Sequence, residues 1–172
     1  QAAVVYTSEA AFVAASGGGL SFESFENPIS VTGTSVTVAD ATFTCTSSVW
    51  CPGFFGTRAL GNATDGQQTV YFATPSSVTF TFNDAITHFG VDVIDLGTVG
   101  ATDLTVDYVN GSSVVYTNYS GGGVLFVGVI DSTPFVSVTF SATAPDDGID
   151  FDRMQYKGGV IPEPASLALV GL

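Results

Sequence analysis

The chain has 172 residues and carries sixteen acidic side chains against three basic ones, a formal net charge of −13. That length supports one domain with a substantial core, and three basic residues exclude a nucleic-acid-binding face, which needs clustered Lys and Arg. The acidity suits hard divalent cations such as Ca²⁺ in an extracellular setting and keeps monomers soluble.

In chain order, the start Gln1-Ala2-Ala3 is what removal of an export signal ending in small residues would leave. Residues 8–15 form the one convincing helix. Ser8 caps it, Glu9 and the alanines favour its first turns, and Gly17, Gly18 and Gly19 stop it. Beyond it the chain reads as β. Residues 20–25 and 29–38 are expected strands, and 39–66 is expected to be loop-rich. Cys45 and Cys51, the two cysteines, are spaced to close a disulfide if the loop turns back, which implies an oxidising compartment. A metal site at these thiols would need more soft ligands than the distant His88 supplies. The loop between and just beyond them carries Trp50, Phe54 and Phe55, aromatics that could stack on a sugar ring or fill one end of the fold.

From 68 to 82 the alternation is clear: Val70 and Phe72, then Val78, Phe80 and Phe82, face the core while Thr79 and Thr81 face solvent. Residues 86–94 place Phe89, Val91 and Val93 inward and His88 and Asp92 on the opposite face. Leu104, Val106 and Tyr108 continue the pattern, and Asn110-Gly111 marks a hairpin whose second arm is 114–119. The stretch 123–130 is apolar on both faces, so it is expected at the centre of a sheet or beneath another layer. Residues 135–140 alternate again, and 148–156 send Ile149 and Phe151 inward and Asp150 and Asp152 outward. Short alternating strands separated by turn residues predict an all-β fold, an antiparallel β-sandwich of jelly-roll type with one short N-terminal helix.

Glu23 and Glu26, on an early strand, and Asp146, Asp147, Asp150 and Asp152, near the end, form the richest polar set. Glu23, Glu26, Asp147, Asp150 and Asp152 are candidate ligands of a structural Ca²⁺, which needs six to eight oxygens. The alternative is a solvated acidic face with Asp-Gly turn chemistry at Asp147-Gly148. His88 and Asp92 lack a nucleophile placed by any motif, and no catalytic residue is nominated. Three Asn-x-Ser/Thr triplets begin at Asn62, Asn110 and Asn118, a pattern that Ser- and Thr-rich sequences produce by chance.

The chain ends Pro162-Glu163-Pro164-Ala165-Ser166 followed by an apolar run to Leu172. This end resembles the C-terminal sorting signal of PEP-CTERM proteins, exported proteins of Gram-negative bacteria handled by an exosortase. The resemblance implies that Pro162, Glu163 and Pro164 are the recognition motif and that residues 1–159 are an exported domain. It also implies an extracellular or outer-surface location, with exosortase as a partner during export. Such exported domains are similar to jelly-roll carbohydrate-binding modules. The eight residues after the motif are too few to span a bilayer, which takes about 20. Residues 160–172 therefore read either as a tail that packs on a neighbouring molecule, with Leu167, Leu169, Val170 and Leu172 as its apolar contacts, or as a segment docked on its own domain or the stump of a membrane anchor. The sequence thus predicts a non-enzymatic surface protein that assembles with itself through this tail, into a filament or sheath. The alternative is a carbohydrate-binding module with polysaccharide as its partner.

Overall fold

The computed structural model describes residues 3–46, 51, 55–108, 112–143 and 146–158. The elements given by the described residues run in the order β1 (Val4–Tyr6), α1 (Glu9–Ser16), β2 (Ser21–Glu23), β3 (Ser30–Val31), β4 (Ser35–Thr37), β5 (Ala41–Thr46) and β6 (Phe55–Ala59). Then come β7 (Gln68–Ala73), β8 (Ser76–Ile94), β9 (Thr102–Tyr108), β10 (Ser112–Tyr119), β11 (Val124–Ala142) and β12 (Gly148–Gly158). All pairings are antiparallel. The fold is an all-β jelly-roll sandwich with the short helix near its start, as the alternation predicts.

Two strands of 19 residues, β8 and β11, organise it. Each runs through both layers. Their later and earlier halves, respectively, pair with each other over Ile94↔Val124 to His88↔Ile130, and there β12 and β1 join them to make the first layer. The other halves pair over Thr81↔Ser137 to Ser76↔Ala142, where β5 flanks β8 and β9 flanks β11 to make the second layer. The register shifts between Ile130 and Ser137 of β11, where the ribbon bends from one layer to the other. Sequence reading divides each of these strands in two because the buried phase slips at the bend: Phe82 and Ile86 are buried, then Phe89, Val91 and Val93.

The core lies between the layers and is dominated by phenylalanine. Phe80 of the second layer meets Phe151 of the first at 4.8 Å between ring centroids, and also meets Phe43 at 4.2 Å, Phe140 at 5.2 Å and Phe89 at 5.5 Å. Each inward residue expected from 68–94 is buried: Val70, Phe72, Val78, Phe80, Phe82, Phe89, Val91 and Val93.

The expectation that 123–130 lies beneath another layer also holds. Helix α1 covers the outer face of the first layer there, with Ser8 accepting a hydrogen bond from the Ala11 amide and Gly17 ending the helix at φ 66°. Phe12, fully buried, packs on Phe126 with centroids 5.5 Å apart. Gly90 and Gly128 face each other across the strands beneath it, and a Cβ at either would lie 2.7 or 2.8 Å from the Phe126 ring. The glycines therefore make room for the helix.

Two sequence expectations are corrected. The strand expected over 29–38 is a hairpin of β3 and β4, because Thr32 Oγ1 accepts hydrogen bonds from the Ser35 amide at 2.9 Å and the Thr34 amide at 3.3 Å and turns the chain. The region 39–66 is less loop-like than expected, since it holds β5 and β6. Ala41, Phe43 and Cys45 alternate inward on β5, so a short period-two signal was present and is overridden in the reading by the surrounding Gly, Ser and Thr. Cys45 and Cys51 form the expected disulfide, with Cα atoms 5.7 Å apart. Among the described residues no helix is long and apolar enough to cross a membrane.

Candidate binding cavity at the bend of strand β8

Where β8 bends between the layers it opens a cavity of about 200 Å³ lined by Ser21, Asp40, Phe82, Asn83, Asp84, Ile86, Tyr156 and Gly158. Four segments meet there: β2, the turn between β4 and β5, the bend itself, and the end of β12. Phe82, Ile86 and Tyr156 are buried and give the cavity an apolar wall, whereas Ser21, Asp40, Asn83 and Asp84 are exposed on its rim. Such a combination, apolar walls with a few convergent polar groups, is the usual composition of a small-ligand site.

The rim is held by its own hydrogen bonds. The Tyr156 hydroxyl donates to Asp40 Oδ2, across 116 positions of sequence. Burial, then the hydrogen bond and charge of Asp40, push the Tyr156 phenol well above its ordinary pKa, so it stays a protonated donor. The Asn83 side-chain amide donates to the Ala39 carbonyl at 3.1 Å, and the Asn83 backbone amide to the Asp40 carbonyl at 2.9 Å. Among the described residues no hydrogen bond or ion pair engages the Asp84 carboxylate.

Of the predicted carboxylates, Glu23 lies near enough to the cavity to act on Tyr156 by charge, and the others are held away from it by partners of their own. Glu23 Oε1 accepts from the Phe25 amide at 2.7 Å. Glu26 Oε1 accepts from the Gln67 and Gln68 amides at 2.7 and 2.6 Å. Asp147 accepts from the Gly97 amide at 2.8 Å and from the Gly148 amide at 3.0 Å. Asp150 and Asp152 share the outer face of β12, as the alternation predicts, but both are fully buried rather than part of a solvated acidic face. Asp150 is paired with Arg58 and accepts the Thr69 hydroxyl at 2.6 Å, while Asp152 accepts the Thr64 and Asp65 amides at 2.7 and 2.8 Å. The loop before β7 folds over this face and supplies those donors, which the local sequence does not reveal. Among the described residues no group of three or more His, Cys, Asp or Glu side chains is placed to hold a metal ion.

Asp92 belongs to the same buried network. Arg153 Nε stands 3.1 Å from Asp92 Oδ2, out of line for a hydrogen bond, so charge rather than hydrogen bonding joins them. Arg153 also pairs with Glu9 of α1, and Gln155 donates to Glu9 at 2.5 Å. Burial raises the pKa of Asp92 and of Asp152 above the ordinary carboxylate value. For both groups the sign is the same: the folded state holds the proton more tightly, so their contribution to stability is present in acid and is lost as pH rises through the folded pKa. Relief of self-repulsion in a chain of charge −13 acts in the same direction. The melting midpoint is therefore expected to fall as pH rises from the ordinary carboxylate range to neutrality, and to fall less in Asp92→Asn. Calorimetric scans across that range check it, and a midpoint that climbs towards alkali contradicts it.

Of the aromatics proposed as a sugar platform, Phe55 is corrected: it faces the core opposite Phe72 and is buried, so it offers no exposed ring. Trp50 and Phe54 lie outside the described residues, as do Pro162, Glu163, Pro164, Leu167, Leu169, Val170 and Leu172. His88 is half-buried, its Nδ1 2.8 Å from the Thr87 hydroxyl, and burial lowers its pKa. The cavity residues were missed by sequence reading. Asn83-Asp84 is a polar pair inside an apolar run just before the phase slip, which is the one local sign of a bend there.

No protein-family model and no curated protein matches the chain. Among solved structures it is similar to the enzymatically active domain of tailspike protein 4 of bacteriophage CBA120, at 15% identity and a TM-score of 0.46, over 70% of this chain and 19% of that one. It is also similar to a variant of a family 29 carbohydrate-binding module, at 14% identity and a TM-score of 0.39, over 69% of this chain and 93% of the module. A third is the catalytic unit of a GH87 α-1,3-glucanase from Streptomyces thermodiastaticus, at 14% identity and a TM-score of 0.36, over 67% of this chain and 26% of that one. The chain thus spans about a fifth of the tailspike domain.

Proposed function

We propose that this chain is an extracellular, non-catalytic module that binds carbohydrate in the cavity at the bend of β8. The observation that carries the reading is the cavity's composition: an apolar wall of Phe82, Ile86 and Tyr156 beneath a rim of Ser21, Asp40, Asn83 and Asp84. A sugar presents the complement, C–H faces for the wall and hydroxyls for the rim. The Cys45–Cys51 disulfide supports an oxidising location, and the outer surface of a Gram-negative bacterium is the location that the tail's resemblance implies.

Saturable binding of oligosaccharides on a glycan array is the expected result. Ser21→Trp, on the exposed rim, should fill the cavity and abolish binding without lowering the melting midpoint. Absence of any retained glycan, or binding that survives Ser21→Trp, would sink the assignment. Release of new reducing ends from a bound glycan would overturn its non-catalytic half.

Within this reading the tail has a separate task, tethering the module or linking it to a second copy. Removing residues 162–172 should then abolish higher-order particles seen by electron microscopy while leaving glycan binding intact. Unaltered polymers after the deletion would rule out the tail as the linker.

A further inference from the structure

We infer that the cavity selects a sugar bearing a free, protonated amine over its neutral counterparts. This rests on the carbohydrate reading and names the substrate class of the same site. The argument is an inventory of donors and acceptors. Tyr156 already gives its hydroxyl proton to Asp40 Oδ2, and Asn83 gives a side-chain amide proton to Ala39. The Ser21 hydroxyl also hydrogen-bonds Tyr156, so what the rim has left is Asp40 Oδ1, the Asp84 carboxylate and the Asn83 amide oxygen, against one remaining Asn83 amide proton. A neutral hydroxyl can donate one hydrogen bond to this rim, but its lone pairs find few donors there. An ammonium is donor-only, with three N–H groups, and carries the charge that two exposed carboxylates call for.

No cation within the folded domain competes for this place. The three basic side chains are all committed elsewhere: Arg58 to Asp150, Arg153 to Glu9 and Asp92, and Lys157 to the Ser16 and Gly18 carbonyls at 3.0 and 2.9 Å. Lys157 follows Tyr156 on β12 and so points to the face opposite the cavity wall. The net charge of −13 raises the local concentration of any cation near the rim. Meanwhile the wall of Phe82 and Ile86 is apolar and suits the C–H face of a pyranose more than a flexible polyamine.

The test is calorimetric titration of the whole chain with three tetrasaccharides of one linkage: β-1,4-glucosamine, its N-acetylated form and the corresponding glucose oligomer. Spermidine serves as a sugar-free polycation. The expected result is that the free-amine oligomer binds at least about tenfold more tightly than either neutral one, with an advantage that shrinks as salt is added. Asp84→Asn should erase that advantage; the side chain is exposed, so folding is not at risk. Equal affinity for all three sugars, or no effect of Asp84→Asn, overturns the selectivity and leaves the carbohydrate reading standing. Spermidine binding as tightly as the free-amine sugar also overturns it, because charge alone would then suffice. Saturable binding by none of the sugars ends both.

Discussion

Phe80→Ala is expected to destabilise the domain by about 4 kcal/mol, within the range for truncating a buried phenylalanine. Phe80 is fully buried and is in ring contact with Phe43, Phe89, Phe140 and Phe151, so the void would open where the two layers touch. Its neighbours belong to β5, the later half of β8, β11 and β12, all hydrogen-bonded into the sheets, and cannot close the gap without moving backbone. For a chain of this size the melting midpoint should fall by roughly 10 °C. Chemical denaturation measures the loss directly. A change below about 1 kcal/mol would show that the layers are not packed through this ring. Val136→Ala, at a position 48% exposed near the bend of β11, is the control and should change little.

The second large effect is expected at Arg58. Asp150 is fully buried, and its charge is balanced by Arg58, whose Nε donates to Oδ1 at 2.8 Å while the guanidinium lies over the Tyr71 ring at 4.0 Å. The hydrogen bond to Asp150 raises the Arg58 pKa further, so Arg58 stays charged at every ordinary pH. Arg58→Met removes the cation and leaves a buried carboxylate with only the Thr69 hydroxyl, at a cost of about 3 kcal/mol. The figure sits at the low end for a broken buried pair because Arg58 is itself 38% exposed and water can partly replace it. Adding Asp150→Leu to Arg58→Met should recover most of the loss, since a buried ion pair adds little net stability over apolar residues of similar size. A double variant no more stable than Arg58→Met would mean that the loss came from packing on Tyr71 instead.

The two residues illustrate what was legible beforehand. Phe80 belongs to a run in which apolar residues recur every second position, and the strand period dictates that Val78, Phe80 and Phe82 share a face whatever surrounds them. Asp150 obeys the same period and was correctly placed on the outer face of β12. Its environment was not, because the residues that bury it, Arg58 and Thr69, come from strands 92 and 81 positions earlier. Asp152 was misread in the same way: its donors are backbone amides of a loop, and a backbone amide leaves no mark on the sequence. For Phe55 the packing reading holds and the platform reading does not, because β6 turns the ring towards Phe72.

The sequence by itself determined the class of the fold, the helix with its Ser8 cap and Gly17 stop, the inward face of nearly every strand and the disulfide. Each follows from interactions within a few residues, where side-chain period, turn chemistry and ring closure act locally. Only the tertiary structure decided that β8 and β11 are single bent strands serving both layers, and that the bend leaves a cavity. It alone brings Ser21, Asp40, Asn83, Asp84 and Tyr156 to that cavity. Their meeting depends on strand register and on the angle between layers, quantities summed over the whole chain that no local window of sequence contains.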